Sequence, residues 1–288
     1  MKTQKGRPKP NLRRGVAKKS LGQHFLVDPV MVNTLVKTAQ LAPSARVLEI
    51  GPGKGIITKD LADAVPEGLV LAVEKDRQLA EALRAIFSNK KNVKVVIKDI
   101  LELPISDLLD EPYQIVANLP FNITSPVITK FLLGDYRGRS GSSSPLPQQM
   151  TLIVQKEMAE RLVAKPGNRE RGILTVLLEL FGQIEYIATI EPEAFFPAPE
   201  VKSAIVDIKL TKPQVDPLAL LTLLKAGFAN KRRQLHNSLA GSLRLSSNQA
   251  KDLLIAAGVN PQLRAEDLTL KNWLDLLKVV KERGGQNV

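Results

Sequence analysis

Short, continuous runs of Val, Ile and Leu that alternate with segments of helical spacing constrain this fold more than any other feature. The runs that predict buried strands are Arg46–Ile50, Leu69–Val73, Val93–Ile97 and Gln114–Ala117. Helical spacing falls between the first three of them, at Ile56–Ala64 and Arg77–Phe87. Strands that are apolar on both faces are typical of parallel sheets covered by helices on both sides. The pattern therefore predicts an α/β domain with a doubly wound, mostly parallel sheet.

The pattern changes further along the chain. Thr151–Val154 is predicted to be another strand, Ile173–Phe181 a helix, and the segments Ile184–Ile190 and Ala204–Leu210 a closing antiparallel pair. After Lys212-Pro213 the apolar spacing predicts only amphipathic helices, at Leu218–Phe228, Arg233–Leu243, Gln249–Ala257 and Leu270–Lys281. We expect three parts: a basic flexible tail over 1–19, an α/β domain over 20–210 and a small all-α domain over 211–288.

The net charge of +12 is concentrated at the two ends of the sequence. Residues 1–19 hold eight Lys or Arg and no acid, and residues 211–288 hold twelve against six acids, so the segment between them is slightly acidic. Basic ends around a near-neutral body are typical of a protein that binds nucleic acid, although solvated tails that only aid solubility give the same pattern.

Composition excludes several other classes of protein. The chain has no cysteine, which removes disulfides, thiolate nucleophiles and cysteine-ligated zinc. No apolar run approaches the roughly 18 residues that a membrane span needs. We therefore expect a soluble cytoplasmic protein that binds neither a membrane nor a metal.

Polar residues and glycines follow the first three predicted strands. In open α/β sheets, ligands bind beyond the carboxyl ends of the strands. The first strand runs into the glycine-rich segment Glu49–Gly55, where glycine permits a tight turn and lets a ligand approach the backbone. The second strand ends in Glu74, placed to accept both hydroxyls of a ribose, and the third in Asp99, placed to meet an adenine edge. Each feature alone also fits a plain turn or a helix cap.

Together, the three strand ends resemble those of the class I S-adenosylmethionine-dependent methyltransferases. The resemblance implies that the loop with Gly51 and Gly53 lies beside the methionine moiety of S-adenosylmethionine. It also implies that Glu74 takes the ribose of this cofactor, and that Asp99 and its neighbour Ile100 take the adenine.

The fourth strand ends in Asn118-Leu119-Pro120-Phe121. This motif is similar to the Asn/Asp-Pro-Pro-Tyr/Phe signature of methyltransferases that act on amino nitrogens of bases, with Leu119 in place of the first proline. An adenine amine is a poor nucleophile, because its lone pair is delocalised into the ring. If the Asn118 side-chain oxygen and the Leu119 carbonyl accept its two hydrogens, the lone pair points at the methyl donor. Phe121 is expected to stack on the everted base, Pro120 to turn the Leu119 carbonyl inward, and Asn118 to border the cofactor.

A closer resemblance covers about residues 18–285. Ser20–Leu26, together with Asn118–Thr124, is similar to the small-subunit ribosomal RNA adenine dimethyltransferase family, which implies that His24 and Leu26 contact S-adenosylmethionine. Residues 195–203 and 228–239 match as well. There, Phe195 or Phe196 is a candidate for the second face of a base sandwich, the alternative being a core aromatic pair. The basic residues Lys231, Arg232 and Arg233, at a predicted helix start, fit phosphate contacts or a solvated turn.

The activity implied is transfer of two methyl groups to each of two adjacent adenosines in the 3′-terminal hairpin of small-subunit rRNA. We expect a monomer that acts on this rRNA or on the 30S particle. Two alternatives stay open: the related antibiotic-resistance family, which dimethylates one adenine of large-subunit rRNA, and a non-catalytic RNA-binding or assembly factor. The sequence departs from the family at a long Ser/Gly-rich loop over Ser140–Ser144, expected to be mobile, and at Arg171, where an aromatic residue is expected before Gly172.

Overall fold

A computed structural model describes residues 24–104, 109, 112–137 and 146–283. The predicted tail over 1–19, positions 20–23 of the Ser20–Leu26 motif and the Ser140–Ser144 loop lie outside these residues. In the part of the chain that the structure describes, no helix is long and apolar enough to cross a membrane.

Seven strands of the described residues form the main sheet. In chain order they are β2 (Arg46–Ile50), β3 (Leu69–Glu74), β4 (Val93–Ile97), β5 (Gln114–Asn118), β6 (Gln149–Gln155), β7 (Gly182–Ile190) and β9 (Ser203–Leu210). Their spatial order is β4-β3-β2-β5-β6-β9-β7. The strands β2 to β6 run parallel, whereas β9 is antiparallel to both β6 and β7, which confirms the predicted architecture and its closing pair. The strand order reverses between β2 and β5, and ligands bind at such a switch point.

Helices cover both faces of this sheet. They are α1 (Pro29–Thr38), α2 (Ile56–Ala64), α3 (Arg77–Ile86), α4 (Thr124–Arg137), α5 (Lys156–Leu162) and α6 (Ile173–Phe181). Alternate residues of β2 pack into different cores, with Leu48 and Ile50 in one and Val47 in the other. Burial on both faces is why the strands have continuous apolar sequences. Asp76 caps α3 by accepting a hydrogen bond from the Gln78 N–H (2.9 Å), which fixes the turn that follows β3.

The C-terminal part is helical, as predicted. It contains α7 (Pro217–Phe228), α8 (Leu235–Leu243), α9 (Ser247–Ala256) and α10 (Leu270–Glu282), packed around a core that includes the buried Trp273. The prediction that α8 starts at Arg233 was wrong. The Arg233 N–H donates to the Asn230 carbonyl oxygen (2.9 Å), which closes a turn, and Gln234 is extended, so the helix begins two residues later.

A second, very small sheet pairs β1 (Phe25–Leu26) with β8 (Phe195–Phe196) in antiparallel register. Phe25 lies opposite Phe196, and Leu26 lies opposite Phe195. This pairing brings the start of the described chain to the switch point of the main sheet. The sequence did not predict it, because two-residue strands have no readable periodicity.

Candidate active site

The carboxyl ends of β2, β3, β4 and β5 and the β1–β8 sheet surround one cleft. Its lining residues are His24, Phe25, Ile50, Gly51, Gly53, Val73, Glu74, Lys75, Asp76, Lys98, Asp99, Ile100, Asn118, Leu119, Pro120, Phe121, Asn122, Ile123 and Phe195. The structure therefore brings together most of the residues that the sequence singled out for cofactor and base, although they come from segments up to 171 positions apart.

The loop after β2 depends on glycine for its shape. Gly51 (φ +68°) and Gly53 (φ +57°) both lie in the left-handed region, which other residues rarely adopt. A Cβ at Gly53 would lie 2.6 Å from the Phe25 ring, so no larger residue fits there. At Gly51, in contrast, no atom lies within 4 Å of the Cβ position, so the backbone is open to a ligand on that side.

Glu74 ends β3 as a nearly buried carboxylate, 5% exposed. One oxygen accepts a hydrogen bond from the Gly53 N–H (3.2 Å) and the other accepts one from the Asp76 N–H (2.8 Å). Burial raises the pKa of the Glu74 carboxyl, and the two N–H donors oppose that rise. Each carboxylate oxygen has a second acceptor direction, so the group is able to bind a diol while it holds the glycine loop.

Asp99 follows β4 and faces the same cleft. Its Oδ1 accepts a hydrogen bond from the Leu101 N–H (2.9 Å), and its Oδ2 forms an ion pair with Lys75 Nζ (2.6 Å). The Lys75 ammonium lowers the pKa of the Asp99 carboxyl. Lys75 was not among the predicted site residues, although its position directly after Glu74 at a strand end was a usable signal.

Asn118, at the end of β5, is held by the N-terminal segment. Its Nδ2 donates a hydrogen bond to the His24 carbonyl oxygen (2.8 Å), which leaves Oδ1 as the acceptor end of the amide. His24 Nδ1 donates to the Pro197 carbonyl oxygen (2.8 Å), and its ring stacks on Phe121 with centroids 6.0 Å apart. Residue 24 thus links β1, β8 and the Asn118–Phe121 motif, an arrangement that sequence spacing did not reveal.

The turn after Asn118 is fixed by backbone hydrogen bonds. The Leu119 N–H donates to the Ile153 carbonyl oxygen (3.1 Å), and the Ile123 N–H donates to the Pro120 carbonyl oxygen (3.1 Å). A short 3₁₀ helix over Phe121–Ile123 leads directly into α4. The motif is therefore anchored on both sides, which keeps Phe121 at the cleft wall.

Five predicted site residues do not line this cleft. Leu26 is buried and borders a small adjoining recess with Gly51 and Asn118. Phe196 is 51% exposed, on the side of β8 opposite to Phe195. Lys231, Arg232 and Arg233 lie in the turn before α8. Of the three, Lys231 is engaged within the protein, because its Nζ donates to the Arg171 carbonyl oxygen (3.1 Å) and lies 5.9 Å from the Phe228 ring centroid.

The fold and the cleft define a class I methyltransferase. A parallel sheet with a closing antiparallel pair carries the glycine turn, Glu74, Asp99 and Asn118 at four neighbouring strand ends. The profile of the ribosomal RNA adenine dimethylase family matches residues 15–282, and the chain belongs to this family. S-adenosylmethionine is the methyl donor of the family, and the open backbone at Gly51 with the two acidic strand ends fits this cofactor.

Known relatives resemble the chain over most of its length. The ribosomal RNA small subunit methyltransferase A of Dehalococcoides mccartyi (strain BAV1) is 36% identical over 90% of this chain and 87% of its own. The protein of the same name from Nostoc punctiforme is 35% identical over 93% and 96%. Among solved structures, the 23S rRNA methyltransferase ErmE is 26% identical with a TM-score of 0.68, covering 89% of this chain and 99% of its own. A dimethyladenosine transferase from Plasmodium falciparum, 23% identical, shares the fold with a TM-score of 0.75 and covers 91% and 98%.

Proposed function

We propose that this chain dimethylates the N6 amines of two adjacent adenosines in the 3′-terminal hairpin of 16S rRNA, and that it takes part in small-subunit biogenesis. The observation that carries the proposal is the orientation of the Asn118 amide. Nδ2 donates to the His24 carbonyl oxygen, which leaves Oδ1 as the acceptor end of a side chain that lines the cleft. An acceptor is the group that an exocyclic amine requires.

The cofactor side of the cleft is assigned to the strand ends. When bound, S-adenosylmethionine supplies an electrophilic methyl group. We assign Glu74 to its ribose hydroxyls, Asp99 and Ile100 to its adenine, and the Gly51–Gly53 turn to its methionine part. Leu26 borders the adjoining recess, where it shapes this part of the wall through packing.

The acceptor side is assigned to the Asn118–Phe121 motif. Asn118 Oδ1 and the Leu119 carbonyl oxygen accept the two amine hydrogens, which directs the nitrogen lone pair toward the methyl group. Phe121 stacks on one face of the everted base, and Phe195, which lines the cleft, is assigned to the other face. Pro120 holds the turn. His24 is a positioning residue, because it contacts Asn118 through its carbonyl and Phe121 through its ring.

The choice of small-subunit rRNA rests on the relatives. The small-subunit methyltransferases are 35–36% identical to this chain, against 26% for the large-subunit enzyme ErmE.

We further propose that the protein acts as a cytoplasmic monomer, that residues 20–210 form the methyltransferase domain, and that residues 211–288 bind RNA. In that helical part, Arg232 and Arg233 are the candidates for phosphate contacts.

Methyl transfer from tritiated S-adenosylmethionine tests this proposal. The substrates are 30S particles and naked 16S rRNA from a strain that lacks the modification, with 50S particles and 23S rRNA in parallel. We expect label on small-subunit RNA and a primer-extension stop at two adjacent adenosines near its 3′ end. Label on 23S rRNA alone would identify a large-subunit enzyme. Absence of label on every substrate, with RNA binding retained, would identify a non-catalytic assembly factor.

A further inference from the structure

The small β1–β8 sheet has one buried face and one accessible face. Leu26 and Phe195, which are cross-strand partners, are both almost fully buried in the same core. Phe25 and Phe196 form the other pair and project from the opposite face, where Phe196 is 51% exposed. A phenyl ring left half exposed on a two-residue strand contributes little to the core. Its exposed face is therefore accessible to a binding partner.

A cation accompanies this exposed ring. Lys54 Nζ lies 5.1 Å from the Phe25 ring centroid and 5.4 Å from the Phe196 ring centroid. Both distances are in the range of cation–π contacts. The position of Lys54 follows from the fold, because it belongs to the glycine turn and its neighbour Gly53 packs directly under the Phe25 ring.

We propose that Phe196 and Lys54 form a docking site for the RNA nucleotide next to the everted adenosine. Phe196 stacks on the base of that nucleotide, and Lys54 contacts its phosphate. The proposal rests on the proposed function and adds a second nucleotide site to it. An aromatic face beside a cation is the combination by which proteins hold single-stranded nucleic acid.

The site is continuous with the cleft. Phe25 is the cross-strand partner of Phe196 on the accessible face of the small sheet, and Phe25 itself lines the cleft. The face that carries Phe196 therefore borders the opening of the cleft. A strand whose adenosine enters the cleft therefore passes Phe196 at the adjoining nucleotide. A positive charge at this point complements the RNA backbone.

Anisotropy of a labelled RNA hairpin with two adjacent adenosines tests the site. Phe196→Ala is expected to weaken hairpin binding about tenfold without changing its salt dependence, because stacking releases no counterions. Phe196→Trp, which keeps a flat aromatic ring, is expected to bind the hairpin about as tightly as the wild type. Phe196→Leu, which keeps an apolar side chain without the flat ring, is expected to bind as weakly as Phe196→Ala. Lys54→Gln is expected to weaken binding and to lower the slope of log affinity against log salt by about 1.

Two exposed residues far from the cleft provide matched controls. Ile86→Ala on α3 removes a comparably exposed apolar side chain, and Lys94→Gln on β4 removes an exposed lysine. Neither is expected to change hairpin affinity. S-adenosylmethionine affinity, measured by calorimetry, is expected to stay the same in Phe196→Ala, which separates RNA docking from damage to the cofactor site.

Several outcomes would overturn the proposal. Unchanged hairpin affinity in Phe196→Ala removes the stacking site. A loss seen only with 30S particles and not with the naked hairpin assigns the exposed ring to a ribosomal protein instead. If the wild-type chain binds the hairpin but methylates no rRNA, the proposed function fails, and the response of hairpin binding to Phe196→Ala still decides the docking site separately.

Discussion

Glu49 is a carboxyl group that water cannot reach. Glu49 is the fourth of the five residues of β2 and is 1% exposed. Neither of its carboxyl oxygens has a hydrogen-bond partner among the described residues. Burial raises the pKa of Glu49 to about 8, although Thr58 nearby opposes the shift. Because the folded state then holds a proton that the unfolded state has lost, stability falls as pH rises from the ordinary pKa of 4.5 toward 8.

Replacement of this carboxyl is expected to remove that pH dependence. The free energy of unfolding of the wild-type chain should fall between pH 6 and 8, with up to about 1.4 kcal/mol per pH unit from this one group. In Glu49→Gln the slope should be smaller, because a neutral amide does not titrate. Urea denaturation at pH 6, 7 and 8 measures the slope, and Glu67→Gln, which changes an exposed carboxyl in the turn before β3, is the control. Equal slopes in wild type and Glu49→Gln would show that the buried carboxyl does not titrate between pH 6 and 8.

Lys75 forms an ion pair with Asp99, the residue that we assign to the adenine of the cofactor. Because the Lys75 ammonium, 2.6 Å from Asp99 Oδ2, competes with the adenine for this carboxylate, Lys75→Met is expected to tighten S-adenosylmethionine binding. The gain should be about two- to fivefold, since exposed ion pairs are weak. Calorimetry at 50 and 300 mM NaCl should show affinity rising with salt in the wild type but not in the variant. Lys98→Met, which changes another cleft lysine, is the control, and weaker binding by Lys75→Met would contradict the interpretation.

Asn118 is the residue on which amine orientation depends. Asn118→Ala is expected to leave cofactor affinity within a few-fold of wild type and to lower the rate of methyl transfer by about 100-fold or more, because orientation is lost. Single-turnover kinetics with saturating cofactor measures this rate. A variant that keeps near-wild-type transfer would exclude the proposed role, whereas loss of cofactor affinity would reassign Asn118 to the cofactor alone.

Arg171 lies directly before Gly172, the N-cap of α6, where the family resemblance predicts an aromatic residue. Arg171 is fully buried, and its guanidinium forms two hydrogen bonds of 2.6 Å with the Glu179 carboxylate and a third, of 2.9 Å, with the Ala164 carbonyl oxygen. A buried ion pair thus takes the place of the expected aromatic side chain. It ties the loop after α5 to the last turn of α6.

Replacing Arg171 alone is expected to lower the free energy of unfolding more than replacing both Arg171 and Glu179. Arg171→Met leaves the Glu179 carboxylate without its partner and should destabilise the protein by up to about 3 kcal/mol, the lower end of the range for a fully buried pair, because Glu179 is 28% exposed. The double variant Arg171→Met/Glu179→Leu should recover much of that loss, because two apolar side chains then pack in the same space. Urea denaturation of the two variants gives both values. Equal destabilisation in the single and double variants would show that the guanidinium is needed for the Ala164 contact rather than for the pair.

Elements with strong periodicity were predictable, and short ones were not. The strand Val93–Ile97 and the helix Ile56–Ala64 have the predicted bounds, because their burial produces continuous or helical apolar spacing. The seven-residue helix α5 was missed, since two turns give too few apolar positions to define a period. The strands β1 and β8 were also missed, because their pairing depends on contacts between residues 169 and 171 positions apart.

The residues at the strand ends of the cleft were predictable from the sequence, whereas the contacts that orient them were not. Parallel strands place their carboxyl ends at one edge, so Gly51, Glu74, Asp99 and Asn118 were predictable as a group. The contacts that orient them were not, because the His24 carbonyl and the Lys75 ammonium reach them through tertiary structure.

The helical part is joined to the sheet by α6, in which Val176 packs into the helical core and Leu177 and Leu178 into the sheet core. The RNA contacts that we propose for the helical part are therefore held in place relative to the cleft.

The basic turn before α8 allows a test of this arrangement. Lys231 donates to Arg171 and lies near Phe228, whereas neither Arg232 nor Arg233 forms an ion pair with another described residue. Arg232→Gln/Arg233→Gln is therefore expected to weaken rRNA binding and to lower the salt slope by about 2, one for each phosphate that the variant no longer neutralises. Lys231→Gln is expected to lower thermal stability and to leave the salt slope unchanged, because its ammonium already bonds a carbonyl. Filter binding between 50 and 300 mM KCl, with a thermal melt of each variant, measures both quantities. If Lys231→Gln lowers the slope by 1, all three cations contact RNA and the Arg171 bond is not maintained in the complex.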